Sequence, residues 1–171
     1  MTKVAFTNRR LNHLTYVIRE NPVTLLAFSL FTLIILLALV GPSIAPHDPI
    51  KTNATNALEP PSLSYLFGTD HLGRDVFSRV IVATRLDLGI AFSAVAISFC
   101  VGCALGGAAG FWGGWTNRVI GRISDAIMAF PLFVLAMGIV AALGNTIENI
   151  IYATAIINLP FYIRVSRAET C

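Results

Sequence analysis

The chain has 171 residues, 56% of them hydrophobic and 12% charged, with a mean hydropathy of +0.74 and a formal net charge of +3. Soluble domains carry about twice that share of charge, so composition excludes an ordinary water-soluble fold, a disordered chain, collagen and a disulfide-stapled scaffold. The basic excess does not indicate nucleic acid, because the Lys and Arg residues flank apolar runs and form no stripe.

The first apolar run, Val23 to Ile44, holds 22 residues without Asp, Glu, Lys, Arg or His. Roughly 20 such residues span a bilayer as a helix. Pro22 suits the first helical turn and Gly41-Pro42 marks the far end. The run is longer than the 7–15 residues of a signal-peptide core, and more runs follow. The sequence therefore predicts a cytoplasmic N-terminus over 1–21 and a transmembrane helix over 22–45.

An outer segment, 46–87, follows. Its first part is rich in Pro, Asn and Ala and reads as extended loop. From Gly68 to Arg79 the pattern changes. Thr69 or Asp70 is expected to cap an amphipathic surface helix over about 70–85, with Val76, Phe77, Val80 and Ile81 on its apolar side. Asp70, His71 and Asp75 are possible metal ligands, but one His between carboxylates is a weak signal. Capping and ion pairing with Arg74 and Arg79 is the reading preferred here.

The second run, Leu88 to Ala109, is again uncharged over 22 residues and predicts a helix over 88–110. Gly102, Gly106 and Gly110 recur every fourth position, a doubled G-x-x-x-G that lets a neighbouring helix approach closely. Cys100 and Cys103 form a C-x-x-C inside this run. A thiolate there is costly, so they read as small packing residues and not as a redox pair. Cys171 has no evident role.

A cytoplasmic loop is expected over 111–125, then a third span over 126–143 with Pro131 kinking it or sitting near its start. A short outer loop, 144–149, leads to the weakest span, 150–163, interrupted by Asn158 and Pro160. Asn158 is expected to satisfy backbone freed by Pro160 or to line a cavity, which makes this pair the candidate translocation path. A cytoplasmic stub, 164–171, closes the chain. Lys3, Arg9, Arg10, Arg19, Arg118, Arg122, Arg164 and Arg167 all fall in the segments placed inside, and the short outer segment has no Lys or Arg. The fold class is thus an all-α integral membrane protein, a polytopic bundle of about four transmembrane helices with its N-terminus in the cytoplasm.

Function follows partly by exclusion. The only lysines, Lys3 and Lys51, follow no Gly-x-x-x-x-Gly loop, so the chain carries no Walker A site. None of the four runs holds an ionisable residue of the kind a proton-coupled carrier uses, although sodium can be held by carbonyls alone. No nucleophile, acid–base pair or metal-ligand set of an intramembrane enzyme is evident in them. A passive path or a helix bundle powered by another protein remains, with any ATP-binding part on separate chains and no cofactor of its own. A small ion-coupled carrier and a non-transporting remnant are the rival readings.

Four blocks then carry a resemblance: Gly-Thr-Asp-His-Leu-Gly-Arg-Asp-Val-Phe-Ser-Arg-Val (68–80), Gly-Phe-Trp-Gly-Gly-Trp (110–115), Asp-Ala-Ile-Met-Ala-Phe-Pro (125–131) and Pro-Phe-Tyr-Ile-Arg-Val-Ser-Arg-Ala-Glu (160–169). Together they resemble inner-membrane permeases of ABC importers, in the dipeptide, oligopeptide and nickel branch, specifically the C-type subunit. The resemblance implies a type I importer transmembrane domain with its core over about 85–171. It also implies a bacterial inner-membrane location, a second homologous permease, two ATP-binding subunits and a periplasmic solute-binding protein. It further implies a coupling loop and two more spans beyond Ala168-Glu169-Thr170-Cys171, so the transport core is expected to be incomplete here.

Overall fold

A computed structural model describes residues 21–170. Lys3, Arg9, Arg10, Arg19 and Cys171, used above for orientation or noted for lack of a role, lie outside the described residues. Among the described residues the only regular elements are helices: α1 (Pro22–Ile44), a 3-10 turn (Ala54–Asn56), α2 (Val76–Trp112), α3 (Gly114–Met128), α4 (Leu132–Leu143) and α5 (Ile147–Thr170). Contacts divide the chain into two units at Leu86 and Asp87.

In the first unit, α1 starts where its sequence says it must. The Asn21 side chain accepts from Val23 N–H at 3.1 Å, and Pro22 occupies the first turn, where a missing N–H costs nothing. Leu26, Phe28, Phe31 and Leu39 stand exposed along it, and only Ala38 and Gly41 are buried. Gly41 touches Ile81 so closely that a Cβ would lie 2.5 Å from its Cγ2. Pro42 does not end the helix, which continues to Ile44.

The outer segment departs from expectation. No separate helix covers 70–85. Residues Thr69 and Asp75 instead pair as an antiparallel bridge around a tight turn, and α2 begins only at Val76. From there it runs unbroken for 37 residues, well beyond the roughly 20 needed to cross a bilayer. Nothing in Val76 to Leu88 breaks a helix, so the amphipathic stretch and the apolar run fuse.

In the second unit, α2 and α5 lie side by side and parallel. Gly102 faces Tyr162, Gly106 faces Ile163 and Ser166, and Gly110 faces Thr170, so numbers rise together on both helices. Chain leaving the end of α2 must therefore travel back before α5 begins. The return is made by α3 and α4, which meet at an angle of 94°. This corrects two expectations. The segment 111–125 is mostly helix α3, not loop, and the run 126–143 is not one helix. Pro131 is the physical reason: it offers no N–H and disfavours helix at Phe130, so α3 stops at Met128 and α4 restarts at Leu132. Asn149 then donates to the carbonyls of Leu143 and Gly144 at 2.8 and 3.0 Å, satisfying the open end of α4. The weak run 150–163 is the middle of a 24-residue helix, about 36 Å long.

Candidate functional site

Three groupings of polar or small residues are built on this frame. The first is a polar knot in the outer segment. Gly68 and Gly73 both adopt φ +70, and a side chain on either would strike the backbone, of Glu59 and of Asn53 respectively. That close approach lets Asn53 N–H reach Leu72 O, and Thr69 N–H reach Glu59 O, at 3.0 and 3.1 Å. The buried Thr69 hydroxyl donates to Asn56 O and accepts from Glu59 N–H.

Asp75 is the true cap of α2. Its carboxylate accepts from the N–H groups of Phe77 and Ser78 at 3.3 and 3.0 Å, and from the buried Ser78 hydroxyl at 2.5 Å. His47 N–H donates in turn to Ser78 Oγ at 3.1 Å, and the His47 ring nitrogen Nδ1 lies 3.4 Å from Asp75. Burial pushes the Asp75 carboxyl up, but these hydrogen bonds outweigh it and leave the group below the usual carboxylate range. Asp70 closes the turn instead of capping the helix. It accepts from Leu72 N–H, Arg74 N–H and the Arg74 guanidinium, and lies 2.7 Å from Arg74 Nη2. The Arg74 side chain chiefly holds its carboxyl well below the ordinary range. The expected ion pairing with Arg74 and Arg79 is present for Asp70, at 2.7 and 3.8 Å, whereas among the described residues Asp75 pairs with neither arginine and faces His47 instead. His71 stands exposed apart from both carboxylates' partners, and among the described residues no three metal-binding side chains converge.

The second grouping is the α2–α5 seam. Ala94, Ser98, Gly102 and Gly106 form a buried stripe of small residues, one every fourth position, continued by the half-buried Gly110. A Cβ on Gly102 would lie 2.6 Å from Tyr162 Cβ, and one on Gly106 would lie 2.5 Å from Ile163 O. Ser98 extends the glycine pattern and was not singled out by sequence reasoning. Its hydroxyl, fully buried, shares its hydrogen between Ala94 O at 2.9 Å and Ala155 O at 2.8 Å. Ser166 answers from α5, donating to Cys103 O at 3.0 Å. The repeat of small residues at a period of four, starting at Ala94, is the signal that locates it.

The third lies on α5 and its neighbours. Pro160 is buried, whereas Asn158 is exposed, and the structure does not bring the two side chains to one point. Asn158 donates to Thr154 O at 2.8 Å, its own helical acceptor, so it does not satisfy the Ile156 carbonyl that Pro160 leaves without an N–H. Thr154 also borders an open groove of about 560 Å³ between α4 and α5, lined mainly by Ala136, Met137, Val140 and Ala153. At the other end, Arg164 reaches Asp125 on α3 at 3.2 Å, and Arg167 donates to Asn117 at 3.0 Å.

Long apolar helices, with most of their charged groups gathered in a loop knot and at one end and a serine–glycine seam between two of them, define a multi-pass α-helical membrane protein. Residues 16–61 match the N-terminal transmembrane domain of oligopeptide transport permease C, and residues 102–170 match the inner-membrane component of binding-protein-dependent transport systems. Among similar proteins, a dipeptide transport system permease protein of Alkalihalophilus pseudofirmus is 37% identical over 152 residues, covering 89% of this chain and 50% of the relative. A di/tripeptide transport system permease protein of Pseudomonas aeruginosa is 42% identical over 142 residues (80% of this chain, 47% of the relative). A nickel transport system permease protein of Escherichia coli is 35% identical over 143 residues (84% and 52%). The chain belongs to the inner-membrane permease family of binding-protein-dependent importers, in the C-type dipeptide, oligopeptide and nickel branch. It spans about half the length of the curated relatives it matches.

The seam and the knot respond differently to substitution. Gly106→Ala should destabilise the α2–α5 pair by about 1–3 kcal/mol, because the neighbour it meets is backbone and cannot rotate away. Gly89→Ala, which meets nothing within 4 Å, should be neutral or raise stability by up to about 1 kcal/mol. The thermal unfolding midpoint in detergent should therefore fall for Gly106→Ala and hold or rise for Gly89→Ala. For the knot, Asp75→Ala should cost about 1–2 kcal/mol through the lost cap. Carboxylates held below their unfolded values contribute stability that is full above those values and lost as pH falls through the folded ones. Limited proteolysis within 46–79 should thus stay slow from pH 7 down to about 4, the unfolded carboxylate range, and accelerate only below it.

Proposed function

We propose that the chain is a membrane-spanning permease subunit of an ATP-binding-cassette import system, with small peptides as cargo. In this reading it pairs with a second, homologous permease to enclose the path, two ATP-binding subunits supply the energy, and a periplasmic binding protein delivers the solute. The observation that carries the proposal is the pair of family matches, in order, at 16–61 and 102–170. Peptide cargo is favoured by the dipeptide and di/tripeptide names of relatives at 37% and 42% identity.

The same reading sets topology. The N-terminus is cytoplasmic, α1 leads out, the knot lies in the periplasm, α2 leads in, and α3 with α4 brings the chain back out before α5 returns. The bias of Lys and Arg towards the segments then placed inside supports it. Asn158 and Pro160 are proposed to border the path, with Thr154 and the α4–α5 groove beside them. Conformational work is taken up by helices rocking against the partner permease. The close seam favours α2 and α5 moving as one body, because separating them breaks the Ser98–Ala155 and Ser166–Cys103 hydrogen bonds.

Co-expressed with its cognate permease and ATP-binding subunits, the chain should co-purify with them and support uptake of a labelled dipeptide. Uptake should fail on ATP depletion and survive an uncoupler. The reverse pattern would replace this function with ion-coupled transport, and absence of both assembly and uptake would support a non-transporting remnant. Alkaline phosphatase fused after Glu59 should be active; an inactive fusion would invert the topology.

A further inference from the structure

We propose that α3 is a membrane-surface helix that binds anionic phospholipid headgroups through Arg118 and Arg122, anchored by Trp112 and Trp115. The inference rests on the membrane placement of the chain and does not require the importer assembly.

The geometry begins at the turn after α2. Gly113 and Gly114 take φ of +57 and +47 with open space around them, and the chain leaves the axis of α2 there. α3 meets α4 at 94°. Because α4 forms part of the return between two parallel helices, α3 lies across the bundle and not along it. Its depth is fixed by its contacts. It meets the last charged turns of α5, through Arg164 with Asp125 and Arg167 with Asn117. That is the polar end of the seam, the level at which hydrocarbon gives way to headgroups.

The faces of α3 match that level. Asn117, Ile120, Gly121, Ser124 and Ile127 turn towards the rest of the unit and are half-buried or buried. Trp115, Arg118, Val119, Arg122 and Ile123 are exposed. Spacings of three, four and seven put Trp115, Arg118 and Arg122 on one outer surface. Phe111, Trp112 and Trp115 are 82%, 69% and 75% exposed, an aromatic cluster suited to the bilayer interface. Among the described residues, neither Arg118 nor Arg122 takes part in an ion pair or a side-chain hydrogen bond. The nearby acid, Asp125, is already engaged by Arg164. Two unneutralised guanidinium groups beside exposed indoles complement the phosphate and the acyl–glycerol boundary of an anionic lipid.

The test uses the fact that Trp112 and Trp115 are the only two tryptophans in the sequence. Intrinsic fluorescence of the full chain, in nanodiscs whose scaffold protein lacks tryptophan, therefore reports the last residue of α2 and the first turn of α3. Lipids brominated near the headgroup should quench it more than lipids brominated near the tail end. Native mass spectrometry of the same sample should show phosphatidylglycerol retained in preference to phosphatidylcholine. Arg118→Gln with Arg122→Gln should reduce that preference roughly twenty-five-fold at low salt, about fivefold for each charge, with quenching depth and helicity unchanged. Stronger quenching by the tail-end label would overturn the proposal by placing α3 inside the hydrocarbon. So would an equal retention of the two lipids, or a preference unaltered in the double variant. Quenching by neither label, with shielding from acrylamide only after ATP-binding subunits are added, would make the face a protein interface instead.

Discussion

The second unit depends on how closely the backbones of α2 and α5 approach. Lipid tails are as apolar as leucine, so the hydrophobic effect does not press helices together within a bilayer. Contact must come from van der Waals packing and from hydrogen bonds that the hydrocarbon cannot supply. The stripe from Ala94 to Gly110 removes side-chain bulk along one line, and α5 settles into it. Once it has, Ser98 and Ser166 are near enough to hydrogen-bond across the gap, one from each helix. The glycines and the serines are therefore one device: the first creates the proximity that the second exploits.

Parallel contact between two helices of one chain imposes a long way round. A single straight segment would suffice if its ends were free, but the charged residues at Arg118, Arg122 and Asp125 cannot enter hydrocarbon cheaply. The chain divides the task. An amphipathic helix handles the charged end, Pro131 interrupts it, and a short apolar helix climbs back. The ion pair between Arg164 and Asp125 is exposed and worth little as stability, under about 1 kcal/mol. Its role is positional, since it holds the elbow against the end of α5.

Much of this was legible in the residues. The unbroken run from Val23 to Ile44 announced α1, and Gly102, Gly106 and Gly110 announced a close helix contact, though not which helix supplied it. What stayed hidden was hidden for physical reasons. Hydropathy averages over a window, so α3, with half its surface polar, looked like loop. Asp75 was a less obvious cap than Asp70 because only the long-range contacts of Gly68 and Gly73, with Glu59 and Asn53, decide which acid faces the helix start. Asn158 had the right chemistry to rescue the proline, but an amide on the same helix reaches its own preceding turn first. Asn158 and Pro160 made α5 look interrupted, yet the helix carries Pro160 within it and runs on from Ile147 to Thr170.

Along α1 the burial is confined to Ala38 and Gly41, near its end. Elsewhere the helix meets its surroundings through greasy side chains whose identities are interchangeable so long as they remain greasy. Sequences drifting apart over evolutionary time should wander freely at Leu26, Phe28 or Phe31, and hold fast at the two small residues where the helix is moored. The greater part of this segment is specified by solubility alone, and its address within the protein is written in a single turn.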